Sequence, residues 1–117
     1  MTRRINQKFL DIYLLLDSTV CDKFCIEYGG VTEYINRLND ARYAVCREAV
    51  LSALVRYRSI RNMLAHEPGA MRASLGITRA DLSWIKRFIR DIRRSKDPVS
   101  RYIRKAERAL AVKKMKI

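Results

Sequence analysis

Apolar residues recur at three- and four-residue steps along most of the chain, which is the spacing of one face of an α-helix. A first helix is predicted over residues 4 to about 27, where seven apolar side chains follow this spacing: Ile5, Phe9, Ile12, Tyr13, Leu16, Val20 and Phe24. Gly29-Gly30 is expected to stop that helix. A short second helix is predicted after Thr32, with Asn39-Asp40 as its exit.

The rest of the chain predicts three further helices. The third runs from about Arg47 to His66, because Pro68 disfavours helical backbone in the residue before it. Thr78 and Asp81 have the spacing of a capping box for the fourth. Asp97-Pro98 resembles the N-cap and first-turn proline of the last. Its apolar residues are expected to face inward: Val99, Tyr102, Ile103, Ala106 and Leu110. No strand is predicted, so the fold class is an all-α bundle of four to five helices.

Length and residue usage limit the architecture. A chain of 117 residues suits one domain. We expect a helical domain over residues 1–112 and a frayed basic tail over 113–117. With 4 Gly and 2 Pro, there are too few turn residues for a β-sandwich. Three cysteines without a secretory signal indicate reduced thiols and a cytoplasmic location. Cys21 and Cys25, four residues apart, favour core packing, and no metal or cofactor is expected.

The charge of the chain indicates a polyanionic partner. There are 25 Lys and Arg against 12 Asp and Glu, a net charge of +13. From Arg79 onward there are 14 basic and 4 acidic residues, a net of +10. The expected partner is RNA. No apolar run reaches the length of a membrane span, so no membrane partner is expected, although an anionic membrane surface is the alternative for the last helix. The residues expected to contact RNA are Arg58, Lys86, Arg87, Arg90, Arg93, Arg94, Arg101, Arg104, Lys105 and Arg108.

The third predicted helix has two sides that are not typical of solvent exposure. Leu51 and Val55 lie outside its core face, on the side that carries Asn62. Such a helix is either central in the bundle or in contact with a second protein. Arg61 falls beside the core face, and His66, the one histidine of the chain, falls in the last turn. A group that titrates near neutrality beside a fixed cation suits phosphodiester cleavage.

The segment Arg61-Asn62-Met63-Leu64-Ala65-His66 resembles the Arg-Asn-x3-His form of a motif found in the HEPN superfamily, the higher eukaryotes and prokaryotes nucleotide-binding domains. Those proteins are small all-α bundles with the motif at the end of a long helix. Many are metal-independent endoribonucleases of toxins and phage-defence systems. The resemblance implies that His66 acts as general base or acid, that Arg61 stabilises the phosphorane charge, and that Asn62 orients the imidazole or the phosphate.

The same resemblance implies a composite site in a homodimer, since one chain offers one histidine. The expected interface is formed by Leu51, Val55 and Asn62. The products would be a 2′,3′-cyclic phosphate and a 5′-hydroxyl. An antitoxin or a guide or structured RNA is the implied regulatory partner. Pro68 stands where family members silenced by adenylylation have a tyrosine, so that mode of control is not expected.

Two other functions compete with a nuclease. One is a non-catalytic RNA-binding or ribonucleoprotein component that keeps the fold and the positive surface. The other is an interaction module whose charge is neutralised by an acidic protein.

Overall fold

A computed structural model describes residues 2–115, and within them the chain forms helices and no strand. The all-α class is therefore confirmed. The helices are α1 (Thr2–Phe24), α2 (Gly30–Asp40), α3 (Arg47–His66), α4 (Arg79–Arg93) and α5 (Pro98–Met115), with a single 3-10 turn at Ala70–Arg72.

The core lies between the first four helices. Helix α1 packs against α2 and α4, and α2 packs against α3. The apolar faces predicted for these helices supply the buried side chains, including Phe9, Leu54 and Ile85, which have no exposed surface. Tyr34 sits among aromatic neighbours, with the Phe88 ring edge-on at 5.1 Å between centroids. Packing of one apolar stripe from each helix explains why the sequence periodicity is so regular.

Helices α1 and α2 approach each other closely at Gly30. A Cβ atom placed on Gly30 would lie 2.2 Å from the Asp17 carbonyl oxygen. The Asp17 carboxylate accepts a hydrogen bond of 2.9 Å from the backbone N–H of Val31, in the first turn of α2. Gly30 is thus the first residue of α2 rather than the stop of α1, which ends earlier, at Phe24. The expected extension of the first helix to residue 27 is wrong, because Cys25 adopts left-handed backbone (φ 56°) and the Ile26 N–H closes the helix end on the Cys21 carbonyl oxygen at 3.0 Å.

Local signals set the other helix ends. Helix α3 ends at His66, and Glu67 before Pro68 is extended, as predicted. Thr78 and Asp81 form both hydrogen bonds of the capping box of α4. Three non-glycine residues near helix ends have positive φ angles: Cys25 (56°), Cys46 (57°) and Ser95 (55°). All three cysteines are free thiols. Cys21 is buried, but Cys25 is exposed rather than packed in the core.

Helix α5 leaves the bundle after its first turn. Only Pro98, Val99 and Ser100 are buried in it, and every residue from Arg101 to Met115 is exposed except the half-buried Tyr102. The prediction that Tyr102, Ile103, Ala106 and Leu110 face a core is therefore wrong. Helix α2 packs against α5, but within the described residues no side chain of α5 beyond Ser100 is buried. The molecule is correspondingly long, 62 × 27 × 21 Å.

The basic end of the chain is part of this projecting helix. Residues 113–115, predicted to be frayed, are helical, because α5 continues to Met115. The remainder of the predicted tail, Lys116 and Ile117, lies outside the described residues.

Candidate nucleic-acid interface

Helix α4 presents a continuous cationic face to solvent. Its core side buries Ile85, Phe88, Ile89 and Ile92. At about 100° per residue, the basic side chains fall within a single arc on the other side of the helix. All of them are exposed: Lys86, Arg87, Arg90, Arg93 and Arg94. We call these five residues the α4 stripe.

The α4 stripe is not neutralised by carboxylates. Among the described residues, the ion pairs are Arg37 with Glu33, Arg47 with Glu48, and Arg56 with Asp81. None of them includes a residue of the stripe or a basic residue of α5. The electrostatic potential of this part of the surface is therefore strongly positive and available to a ligand.

A second cationic feature is a cleft between α5 and the connection that joins α2 to α3. Tyr43 is 86% exposed and lies in this connection. The opposite wall is formed by the first turns of α5. The lining residues are Tyr43, Ala44, Val45, Arg101, Tyr102, Arg104, Lys105 and Arg108. We call this the Tyr43 cleft. An exposed aromatic ring beside guanidinium and ammonium groups offers both base stacking and phosphate contacts.

Buried polar contacts fix the direction of α5 and hence the shape of the Tyr43 cleft. The Tyr34 hydroxyl donates a hydrogen bond of 2.6 Å to the Asp97 carboxylate, which also accepts one from the Ser100 N–H. Burial raises the pKa of Tyr34 above its usual range, and the adjacent Asp97 charge raises it further. Arg104 donates a hydrogen bond of 2.7 Å to the Ser95 carbonyl oxygen. Asp97 thus caps α5 as predicted, while its contact with Tyr34 attaches the helix to the core.

Arg61 and His66, the predicted catalytic pair, differ in exposure. Arg61 is half-buried. Burial and the Asp17 charge raise the pKa of Tyr13 to about 12, and the charges of Arg61 and Arg58 act in the opposite direction. His66 is exposed in the last turn of α3. It lies five positions after Arg61, which is about 140° around the helix, so the two side chains leave α3 on different sides.

Asn62 and His66 share one exposed side of α3. They are one helical turn apart, and exposed Val55 lies on the same side two turns earlier. Leu51 is different, because it is half-buried and packs against the core. A groove beside it is lined partly by Ile35 and Asn39 of α2. Helix α2 therefore covers part of the second apolar side of α3, and Val55 and Asn62 are the members of the predicted interface that stay exposed.

Two surroundings were not predicted from the sequence, those of Arg58 and Tyr43. Arg58 is predicted as an RNA contact, but it is half-buried and its guanidinium lies 3.5 Å from the Thr32 hydroxyl, between α2 and α3. No sequence pattern marks Tyr43. Only the fold, which brings the chain around residue 43 against α5, identifies it.

The family described as "Family of unknown function (DUF6548)" matches residues 7–117. The chain belongs to this family. The match includes both cationic helices and the connection that carries Tyr43. No curated protein and no solved structure matches the chain. None of the helices described over residues 2–115 combines the length and apolar character needed to cross a membrane.

Proposed function

We propose that this protein binds RNA through the α4 stripe and the Tyr43 cleft. The observation that carries the proposal is that the five basic side chains of the α4 stripe and the four of the Tyr43 cleft are exposed and lack an acidic partner within the described residues. A solvated helix face usually alternates charge signs, which stabilises the helix by i,i+4 pairs. A face with one sign is instead suited to a ligand that carries many negative charges.

Single-stranded RNA is the class that fits both features. Proteins that hold single strands combine a cationic track for the backbone with aromatic rings on which bases stack. The Tyr43 ring and the guanidinium groups of Arg101, Arg104 and Arg108 line the same cleft. In a duplex the bases are already stacked on each other, so the Tyr43 ring would add little to duplex binding.

Neutralising the α4 stripe is expected to reduce RNA affinity and its salt dependence. With all five stripe residues changed to Gln, the negative slope of the log association constant against log salt concentration should become shallower by about 3.5. This corresponds to about 0.7 for each lost phosphate contact on a single strand. The measurement is fluorescence anisotropy with a labelled single-stranded RNA at several salt concentrations. A matched comparison sets Arg87→Gln/Arg90→Gln against Arg3→Gln/Arg72→Gln, whose exposed charges lie outside α4 and α5. Equal losses in the two double variants would show that net charge, rather than this surface, governs binding.

Replacing Tyr43 with Ala is expected to weaken binding of single-stranded RNA by about tenfold, the effect of losing one stacked base. Tyr28→Ala is the matched control, because Tyr28 is similarly exposed (83%) but lies in the turn between α1 and α2. Duplex RNA should bind the wild type and both variants alike. If Tyr28→Ala has the same effect as Tyr43→Ala, stacking in the cleft is not the cause.

A second candidate function, RNA cleavage in a homodimer, is favoured by the exposed side of α3. Val55, Asn62 and His66 lie in a row that a second copy could cover. The resemblance of residues 61–66 to HEPN nucleases gives the expected roles of these side chains in cleavage. The ribose 2′-oxygen would attack phosphorus and lose its proton to one His66. The 5′-oxygen would leave and take a proton from the His66 of the second copy, with Arg61 and Asn62 holding the phosphate.

The cleavage hypothesis has a direct assay. Wild-type protein should cut RNA in EDTA and leave 2′,3′-cyclic phosphate ends, since this reaction needs only proton transfer. His66→Ala should lose cleavage by at least about a hundredfold, the contribution of general acid–base catalysis, and should keep wild-type RNA affinity. Cleavage that persists in His66→Ala would contradict the role of His66 as general acid or base. Binding without cleavage by the wild type would leave the RNA-binding proposal standing alone.

A further inference from the structure

Helices α1 and α4 enclose a cavity of about 460 Å³ at the end of the bundle where both helices begin. Residues 74–77, which precede α4, form one of its walls. Its volume is within the range of small-molecule sites, about 300–1,000 Å³. Half-buried Ile5, Leu75 and Leu82 line it and provide an apolar surface against which a sugar or a base can pack. We call this the Asn6 cavity, because Asn6 is the buried polar residue that lines it.

Three cationic side chains line the Asn6 cavity: Arg4, Lys8 and Arg79. All three are exposed, and none belongs to an ion pair within residues 2–115. The described residues that line the cavity include no Asp or Glu. A phosphate monoester carries about −1.5 to −2 charges near pH 7, more than the single charge of a phosphodiester. The cluster therefore favours a ligand that ends in a phosphate monoester.

Asn6 has a buried polar atom that no described residue satisfies. The side chain lines the cavity although it is only 1% exposed. Its Nδ2 donates hydrogen bonds to the carbonyl oxygens of Met71 at 2.7 Å and Ala73 at 2.9 Å, which fixes the amide with Oδ1 on the side away from these carbonyls. Oδ1 has no hydrogen-bond partner within residues 2–115. Because buried oxygens of this kind accept hydrogen bonds in native proteins, Oδ1 indicates a ligand with an N–H or O–H donor.

The Asn6 cavity is continuous with the α4 stripe. A second cavity between α1 and α4 shares Lys8 and Arg79 with it and is also lined by Lys86, a member of the stripe. Lys86 follows Arg79 by seven residues, which is about 10 Å along the helix and about 20° around it. Asp11, the one carboxylate among the described lining residues of the two cavities, lies in the second. A strand that follows the stripe toward the start of α4 therefore reaches the Asn6 cavity.

We propose that the Asn6 cavity binds the terminal nucleotide of an RNA strand through its phosphate monoester, while the strand continues along the α4 stripe. This inference rests on the proposed function, because the stripe has to hold the RNA. The cations contact the phosphate, and a ribose hydroxyl or a base amino group donates to Asn6 Oδ1. Residues 74–77 form the wall at the end of the groove, so a terminal nucleotide fits where one that continues in both directions does not.

The test compares three single-stranded RNAs of one sequence by fluorescence anisotropy, with an internal label and either a 5′-phosphate, a 3′-phosphate or hydroxyls at both ends. One phosphorylated RNA should bind at least about tenfold more tightly than the RNA with two hydroxyl ends, the effect of charge-assisted hydrogen bonds to one phosphate. Arg4→Gln/Lys8→Gln should abolish this preference, and Arg3→Gln/Arg72→Gln, exposed charges outside the cavity, should keep it. Equal binding of the three RNAs would overturn the proposal.

Ser74→Trp separates the cavity from the charges around it. Ser74 is exposed and lines the cavity, so an indole there fills the space while every cation remains. The preference for a phosphorylated end should disappear, and the affinity for RNA with two hydroxyl ends should stay at the wild-type value. A preference that survives in Ser74→Trp would place the phosphate on surface cations and would overturn the proposal.

Adenosine 5′-monophosphate and 3′-monophosphate test the cavity without the stripe. One of them, but not adenosine, should shift the NMR signals of the Asn6 side-chain amide and of Gly76, and Arg87→Gln/Arg90→Gln should not change this. If neither nucleotide shifts these signals, the inference fails, even where the stripe still binds RNA. If a nucleotide binds and no RNA does, the proposed function fails, and the RNA end is overturned as the ligand.

Discussion

Gly30→Ala is expected to lower the free energy of unfolding by about 3 kcal/mol, because the added methyl group has no space. The nearest atom, 2.2 Å from the new Cβ, is a backbone oxygen of α1 and cannot rotate away. Helices α1 and α2 would have to separate. Separation would also strain the hydrogen bond between Asp17 and the Val31 N–H. For a domain whose total stability is about 5–15 kcal/mol, this is a large fraction.

Urea denaturation of Gly30→Ala and Gly29→Ala separates the steric effect from backbone strain. Gly29 has a φ of +69°, and a Cβ added there would have no atom within 4 Å, so its replacement costs only the strain of left-handed backbone, about 1 kcal/mol. The two variants should therefore differ by about 2 kcal/mol. Equal destabilisation would mean that α1 and α2 do not approach as closely as described.

Tyr34→Phe is expected to lower the free energy of unfolding by about 2 to 3 kcal/mol, because it removes a hydroxyl that serves two buried groups. The hydroxyl donates to Asp97 and accepts from the Val99 N–H. Without it, the 1% exposed Asp97 carboxylate keeps only the Ser100 N–H as a partner. One carboxylate oxygen already lacks a partner within the described residues. A buried charge with fewer hydrogen bonds is costly.

Tyr13→Phe is the matched control for this experiment. Tyr13 is also buried, but no hydrogen bond of its hydroxyl is found within residues 2–115. Its removal should change stability by less than about 0.5 kcal/mol. Because Asp97 anchors α5, Tyr34→Phe should also weaken RNA binding at the Tyr43 cleft, whereas Tyr13→Phe should not. Unchanged stability in Tyr34→Phe would show that water replaces the hydroxyl.

The ends of most helices could be predicted because local chemistry determines them. Pro68 ends α3, Thr78 with Asp81 begins α4, and Asp97 with Pro98 begins α5, each through contacts within a few residues. The role of Gly30 could not be predicted, because it depends on a contact with another helix, α1. A glycine can end a helix or permit a close approach within one, and only the position of α1 decides between these roles.

The surroundings of α5 and α3 depend on the tertiary fold. Ile103 and Leu110 have the spacing of a packed face, but periodicity shows only that a face exists and not what covers it. Arg61 and His66 are close in sequence, yet the α-helix turns them to different sides. The Tyr43 cleft was not predictable at all, because its two walls are far apart in the chain, one near residue 43 and the other from Arg101 onward.

The left-handed backbone of Cys25, Cys46 and Ser95 has a thermodynamic consequence. Each of these side chains occupies a conformation that costs roughly 1 kcal/mol relative to glycine. The native state therefore loses stability at three junctions between helices. Cys46 lies in the connection that carries Tyr43, and the Ser95 carbonyl accepts the hydrogen bond of Arg104, so these two junctions adjoin the Tyr43 cleft. Cys25 lies between α1 and α2, away from both cationic surfaces, so a glycine there could raise the melting temperature and leave ligand affinity intact.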